Sequence, residues 1–151
     1  MRSFIRVVQH TALLLVRLAV GFILLMHGYH RYQSGPDRVL ELINEMGLPG
    51  AEALAWGTIG FEVIGGLLII FGLGTPILGG ILVVEQVLLI VLSTWDHGFR
   101  VMDGGYEYNL ALAALGVVLL AFGSGRAGLD ALFTRPAPDP EQRWISDADP
   151  A

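Results

Sequence analysis

The chain has no cysteine and no lysine. Without cysteine there can be no disulfide, thiolate metal site, persulfide carrier or thiol nucleophile on it, so any redox chemistry it joins must use a borrowed cofactor. Charge is scarce as well. Only 15% of residues are charged, all nine basic ones are arginine, and the net charge of -5 is spread over loops and tail rather than gathered in a run. That distribution leaves no footprint for nucleic acid. In place of charge there is apolar sequence: 54% of the 151 residues are hydrophobic and the mean hydropathy is +0.62. Such a composition describes one multi-span membrane domain, with the lipid bilayer as its first partner.

The run Leu54–Leu73, twenty residues, is apolar except for Glu62 near its middle. At ~1.5 Å per residue it covers ~30 Å, the thickness of a bilayer's hydrocarbon core. A carboxylate at that depth costs ~2.5 to 3.5 kcal/mol on insertion scales, so it must face protein, water or a partner charge. Ala55, Thr58, Gly65 and Gly66 fall near Glu62 on a helical wheel, and small residues of this kind let a neighbouring helix approach. Glu62 thus predicts a bundle around itself.

Before it, Thr11–Tyr29 reads as a first span interrupted by Arg17. It is too long for a signal-peptide core and no small-residue cleavage site follows it. Arg17 shares a face with Gly21, Leu24 and Gly28 and is expected to point inward, with His27 and His30 off that face. After a break at Ser34, Gly35 and Pro36, apolar residues recur at helical spacing from Val39 to Met46 among Asp37, Glu41 and Glu45. This predicts a short interfacial amphipathic helix, closed by Gly47 and Pro49. The uncharged turn GLGTP makes the second and third spans antiparallel neighbours, and the third, Ile77–Trp95, carries Glu85 beside Gln86.

A polar loop leads to Tyr106, Glu107, Tyr108 and Asn109, which open a Leu/Ala-rich fourth helix ending near Phe122. Glu107, Ala111, Ala114, Val118 and Ala121 share the face expected to point inward. The fold class is therefore an all-α membrane protein: four transmembrane helices in an antiparallel bundle, with an interfacial helix between the first and second. Residues 1–133 form the single domain. Residues 134–151, with Pro136, Pro138, Pro140 and Pro150 among acidic residues, read as a disordered cytoplasmic tail. Arg2, Arg6, Arg126, Arg135 and Arg143 lie on one side of the spans and Arg31, Arg38 and Arg100 on the other, which favours cytoplasmic termini.

Two groups of residues carry candidate chemistry. Measured from the cytoplasmic helix ends at ~1.5 Å per residue, Arg17 lies ~9 Å deep, Glu85 ~12 Å and Glu62 ~16 Å. An ion pair of Arg17 with Glu62 or Glu85 would staple the helices, because a buried charge without a partner is very costly. Two carboxylates facing one guanidinium also describe a substrate or proton site. Near the outer surface, His27, Tyr106 and Glu107 could hydrogen-bond the carbonyl oxygens of a quinone and relay protons. Alternatively Glu107 serves the dipole at the start of the fourth helix. A metal site is not expected, since no close ligand pair has a third ligand nearby.

The segments RLAVGFILLMHG, GFEVIGGLLIIFGLGTP and GGYEYNLALAALGVVLLAFGSGRAGLD, within roughly Val16 to Asp130, resemble the successive signatures of the DoxX family. The resemblance implies a four-helix protein of the cell's inner membrane, associated with quinone-linked oxidoreductases. Relatives include subunits akin to thiosulfate:quinone oxidoreductase and, in actinobacteria, members of oxidative-stress assemblies. The family's pattern falls on Arg17, His27 with Gly28, Glu62, and Tyr106 with Glu107. Glu85 has no counterpart in it, and the basic position after His-Gly, often lysine, holds His30 and Arg31. An accessory subunit serving a redox or respiratory complex, with quinone as its non-covalent cofactor, is the implied function. A small transporter or proton pathway and a purely structural anchor are the alternatives, the former weakened by the absence of an inverted repeat.

Overall fold

The computed structural model of this chain describes residues 2–125 and 127–130; the tail expected over 134–151 lies outside them. Its elements are helices: α1 (Arg2–Ser34), α2 (Asp37–Glu45), α3 (Ala51–Phe71), α4 (Thr75–His97) and α5 (Glu107–Phe122). There is no strand among the described residues. Phe4–Ser34, α3 and α4 are each long and apolar enough to cross a membrane, whereas α5, with 16 residues, is a shorter apolar helix.

α1 is longer than the span Thr11–Tyr29 read from hydropathy, because nothing in the polar flanks breaks a helix until Gly35, at φ 83°, and Pro36. α3 and α4 are also less regular than expected. A π-helical turn over Phe61–Gly65 contains Glu62, and a second occupies Ile90–Thr94. Such turns interrupt the 3.6-residue period and recur at functional sites.

Glycine contacts set the packing. A Cβ at Gly28 would lie 2.8 Å from Cβ of Glu62, so only glycine lets α1 approach α3 at that level. On the other pair, a Cβ at Gly79 would lie 2.7 Å from the amide of Leu120, and one at Gly116 2.9 Å from Val83. Positions later in α4 therefore meet positions earlier in α5. Val20, Leu24, Ile69, Leu82 and Leu119 form the buried core between the four long helices. α2 seals Val39 and Ile43 against Ala55 of α3.

The inward face of α5 is not the one expected. Glu107, Ala111, Ala114 and Ala121 are exposed, and the buried stripe is Leu112, Ala113, Gly116 and Leu119. Close approach at Gly79 and Gly116 selects this face, and an alanine row cannot compete where two backbones can touch.

Candidate functional site

Arg17 is 1% exposed and pairs with neither Glu62 nor Glu85. Its Nε donates to the carbonyl of Ile69 at 3.0 Å, Nη2 to Ile70 at 2.7 Å and Nη1 to Ser124 at 2.8 Å. The expected pair fails because helical side chains lean toward their own N-terminus. Arg17 therefore reaches the end of α3, where the last carbonyls lack helical partners, rather than the mid-helix carboxylates. The charge of Asp130 acts on Arg17 from the same end. Asp130 also accepts from the amides of Gly74 at 2.8 Å and Thr75 at 3.2 Å, and its own amide donates to Gly72 at 2.9 Å. Ser124 and Asp130 are thus part of a clasp that joins α1, the α3–α4 turn and the end of α5.

Glu62 has a different partner. Arg31 Nη1 lies 3.0 Å from Glu62 Oε1, and the second oxygen of Glu62 is buried with no hydrogen-bond partner. The charge of Arg31 also acts on Glu85 and on Tyr108. Beside Glu85, the Gln86 amide donates to its Oε2 at 3.4 Å, and Gln86 Oε1 accepts from Asn109 Nδ2 at 2.9 Å. Tyr108 in turn stacks on His27 and shares a 3.2 Å hydrogen bond with its Nε2. These contacts make one polar layer: His27 and Arg31 from α1, Glu62 from α3, Glu85 and Gln86 from α4, Tyr108 and Asn109 from α5. At ~1.5 Å per residue, Glu62 and Glu85 each stand ~15 Å from the nearer end of their helices, whereas Arg31 and Tyr108 belong to the terminal turns of theirs.

The anticipated group of Arg17, Glu62 and Glu85 is therefore divided: the two carboxylates share the layer, and the arginine there is Arg31. His27, Tyr106 and Glu107 are divided too. His27 joins the layer through Tyr108, Tyr106 stacks on Trp95 with ring centres 5.5 Å apart, and exposed Glu107 accepts the amide of Val101 at 3.2 Å. A signal for Arg31 was available, since it continues the inward row Arg17, Gly21, Leu24, Gly28 at the same alternating spacing. Nothing in the sequence linked Gln86 to Asn109 across two helices. Among the described residues no group of three His, Asp or Glu could hold a metal ion.

Between α2, α3 and α4 lies a groove of about 670 Å³. Leu42 lines it from α2 and Met46 from just past that helix, Leu54, Gly57 and Phe61 from α3, and Ile81 and Leu88 from α4, while its charged groups are Arg31 and Glu85. An apolar space with a few convergent polar groups is the usual form of a small-molecule site.

The sequence profile of the DoxX family matches residues 12–95. The chain belongs to the DoxX family. That DoxX match takes in Arg17, Arg31, Glu62, Glu85 and every residue lining the groove. The chain is also similar to a Bacillus subtilis (strain 168) protein described as "Putative oxidoreductase CatD", with 30% identity over 117 residues, which is 78% of this chain and 83% of that one. No solved structure matches this DoxX chain.

Proposed function

We propose that this chain is an integral subunit of the cell's inner membrane that anchors or serves a membrane-bound oxidoreductase and meets the quinone pool at its polar layer. The observation that carries this reading is that Arg31 and Glu85 form the charged wall of an otherwise apolar groove. A lipid-soluble ring with polar oxygens suits both parts of such a lining. Membership of the DoxX family and likeness to a protein named as an oxidoreductase support the redox association. In this reading all four long helices cross the bilayer as an antiparallel bundle within residues 1–133, and both termini are cytoplasmic. Reporter fusions after Arg135 are expected inside and those near Asp103 outside; an external tail overturns that topology.

The chain itself supplies no redox centre, so its part is to bind, orient and handle protons while a partner enzyme moves the electrons. Solvent extraction of the purified protein should recover quinone, and a short-tailed quinone added to the extracted protein should quench tryptophan fluorescence. His27→Ala, which removes the stacking partner of Tyr108, should weaken binding, whereas Glu107→Gln and Tyr106→Phe should do so only by loosening the loop. Absence of quinone and of titratable binding would leave the chain a structural anchor. The unpartnered buried oxygen of Glu62 favours a second reading, a proton pathway through the layer. Uptake of protons into vesicles, lost in Glu62→Gln, would support it.

A further inference from the structure

We propose that the groove between α2, α3 and α4 selects the reduced, hydroxyl-bearing form of a lipid-soluble aromatic over its oxidised dione, Glu85 accepting the hydroxyl hydrogen and Arg31 donating to an oxygen of the same ligand. This rests on the reading that the chain meets the quinone pool, and it adds which redox state is held and by which residues.

The selectivity follows from what the two charged groups have left to offer. Arg31 uses one nitrogen on Glu62, and its other N–H groups remain as donors at the groove. Glu85 has the opposite need. Among the described residues its hydrogen-bond partner is the Gln86 amide, at a long 3.4 Å, and no arginine or histidine lies within ion-pair distance of it. With Glu85 ionised, as the proposal requires, its carboxylate can only accept, and a dione also only accepts, so the two meet lone pair to lone pair. A quinol brings the missing O–H, while its oxygen can still accept from Arg31. Other amphiphiles fit less well. A fatty acid would set a third carboxylate beside Glu62 and Glu85 with one guanidinium to share, and a lipophilic ammonium would satisfy Glu85 but face Arg31.

The groove also offers room at a defined place. A Cβ built on Gly57, which lines it, meets nothing within 4 Å, and the same is true of Gly60, which does not line it. The two glycines therefore supply a matched pair of volume tests on one helix.

The experiment uses the full chain purified in mild detergent under anaerobic conditions, near pH 8, titrated with a short-tailed naphthoquinol, its dione and its dimethyl ether. Tryptophan quenching reports binding. The quinol is expected to bind about tenfold more tightly than the dione, as for a hydrogen bond to a charged group, and the ether no better than the dione. Glu85→Gln, which keeps size but presents an amide donor, should erase or invert that preference. Gly57→Leu should weaken both forms and Gly60→Leu neither. If dione and quinol bind the wild type equally, or the preference survives Glu85→Gln, the selectivity is wrong while the quinone reading stands. If Gly57→Leu folds and binds both forms normally, the groove is not the site. Tighter binding of tetraphenylphosphonium than of quinol would show that Glu85 reads positive charge, which also overturns the proposal. If no form binds, the proposed function fails first.

Discussion

Arg17 and Arg31 lie on the same glycine-lined face of α1, and their surroundings could hardly differ more. Around Arg17 each guanidinium nitrogen ends on a backbone carbonyl, and the residue is sealed. Around Arg31 one contact is made, its side chain is 31% exposed, and the layer beside it holds two carboxylates, one with an oxygen left unpartnered. A buried charge with every nitrogen bonded in a sealed site is closed to a ligand; one with nitrogens left over at the wall of a groove is open to it. On the proposed reading, one arginine serves stability and the other serves ligand binding.

The strongest way to break that division is at the clasp. Arg17→Ala deprives the carbonyls of Ile70 and Ser124 of their buried donor at ~1 to 3 kcal/mol each, while Ile69 keeps the Gly72 amide, so a loss on the order of 3 kcal/mol is expected as a fall in detergent melting temperature. Arg17→Lys should recover only part of it, because an ammonium cannot reproduce the planar fork. Wild-type stability of Arg17→Ala would end the structural assignment.

A smaller effect is expected from Gly28→Ala. The added methyl must push α1 away from Glu62, at roughly 1 to 3 kcal/mol, and the separation should also weaken ligand binding at the layer. Stability lost with binding untouched would mean that the layer does not depend on this approach.

The smallest change in stability belongs to Arg31→Ala. The Arg31 side of the pair is partly exposed and a Glu62 carboxylate left alone can take up a proton, so about 1 kcal/mol is expected, although binding should be lost. Glu62→Gln placed on top should restore stability but not binding. A double-mutant cycle reads this directly, and additive losses would rule out the pairing.

Much of this fold was legible in the sequence, for reasons that particular residues make plain. Gly35 and Pro36 break α1 where the pattern says, and Ala55, Gly65 and Gly66 near Glu62 are buried, with Thr58 half-buried. The site was only half legible. Helical wheels place Arg17 and Arg31 on one face but do not say how far along the helix each side chain leans, and that lean decides which acid is met. The inward face of α5 was misread because Gly116 has no hydropathy to advertise, yet it governs backbone approach. The π-turn at Glu62 left no sequence signal either, since nothing in FEVIG distinguishes it from a regular turn.

The clasp has a further consequence for how the protein is made. Its acceptors and caps, from Ser124 to Asp130, come late in the chain, whereas the arginine that they hold is residue 17. During synthesis α1, α3 and α4 enter the membrane before the carbonyl of Ser124 and the carboxylate of Asp130 exist. Until then Arg17 is an incompletely bonded cation, and the α3–α4 turn lacks the carboxylate that binds Gly74 and Thr75. Docking of the first helix is therefore completed by residues that follow α5 in the chain. A chain cut after α4 therefore lacks the Ser124 carbonyl and the Asp130 carboxylate of the clasp.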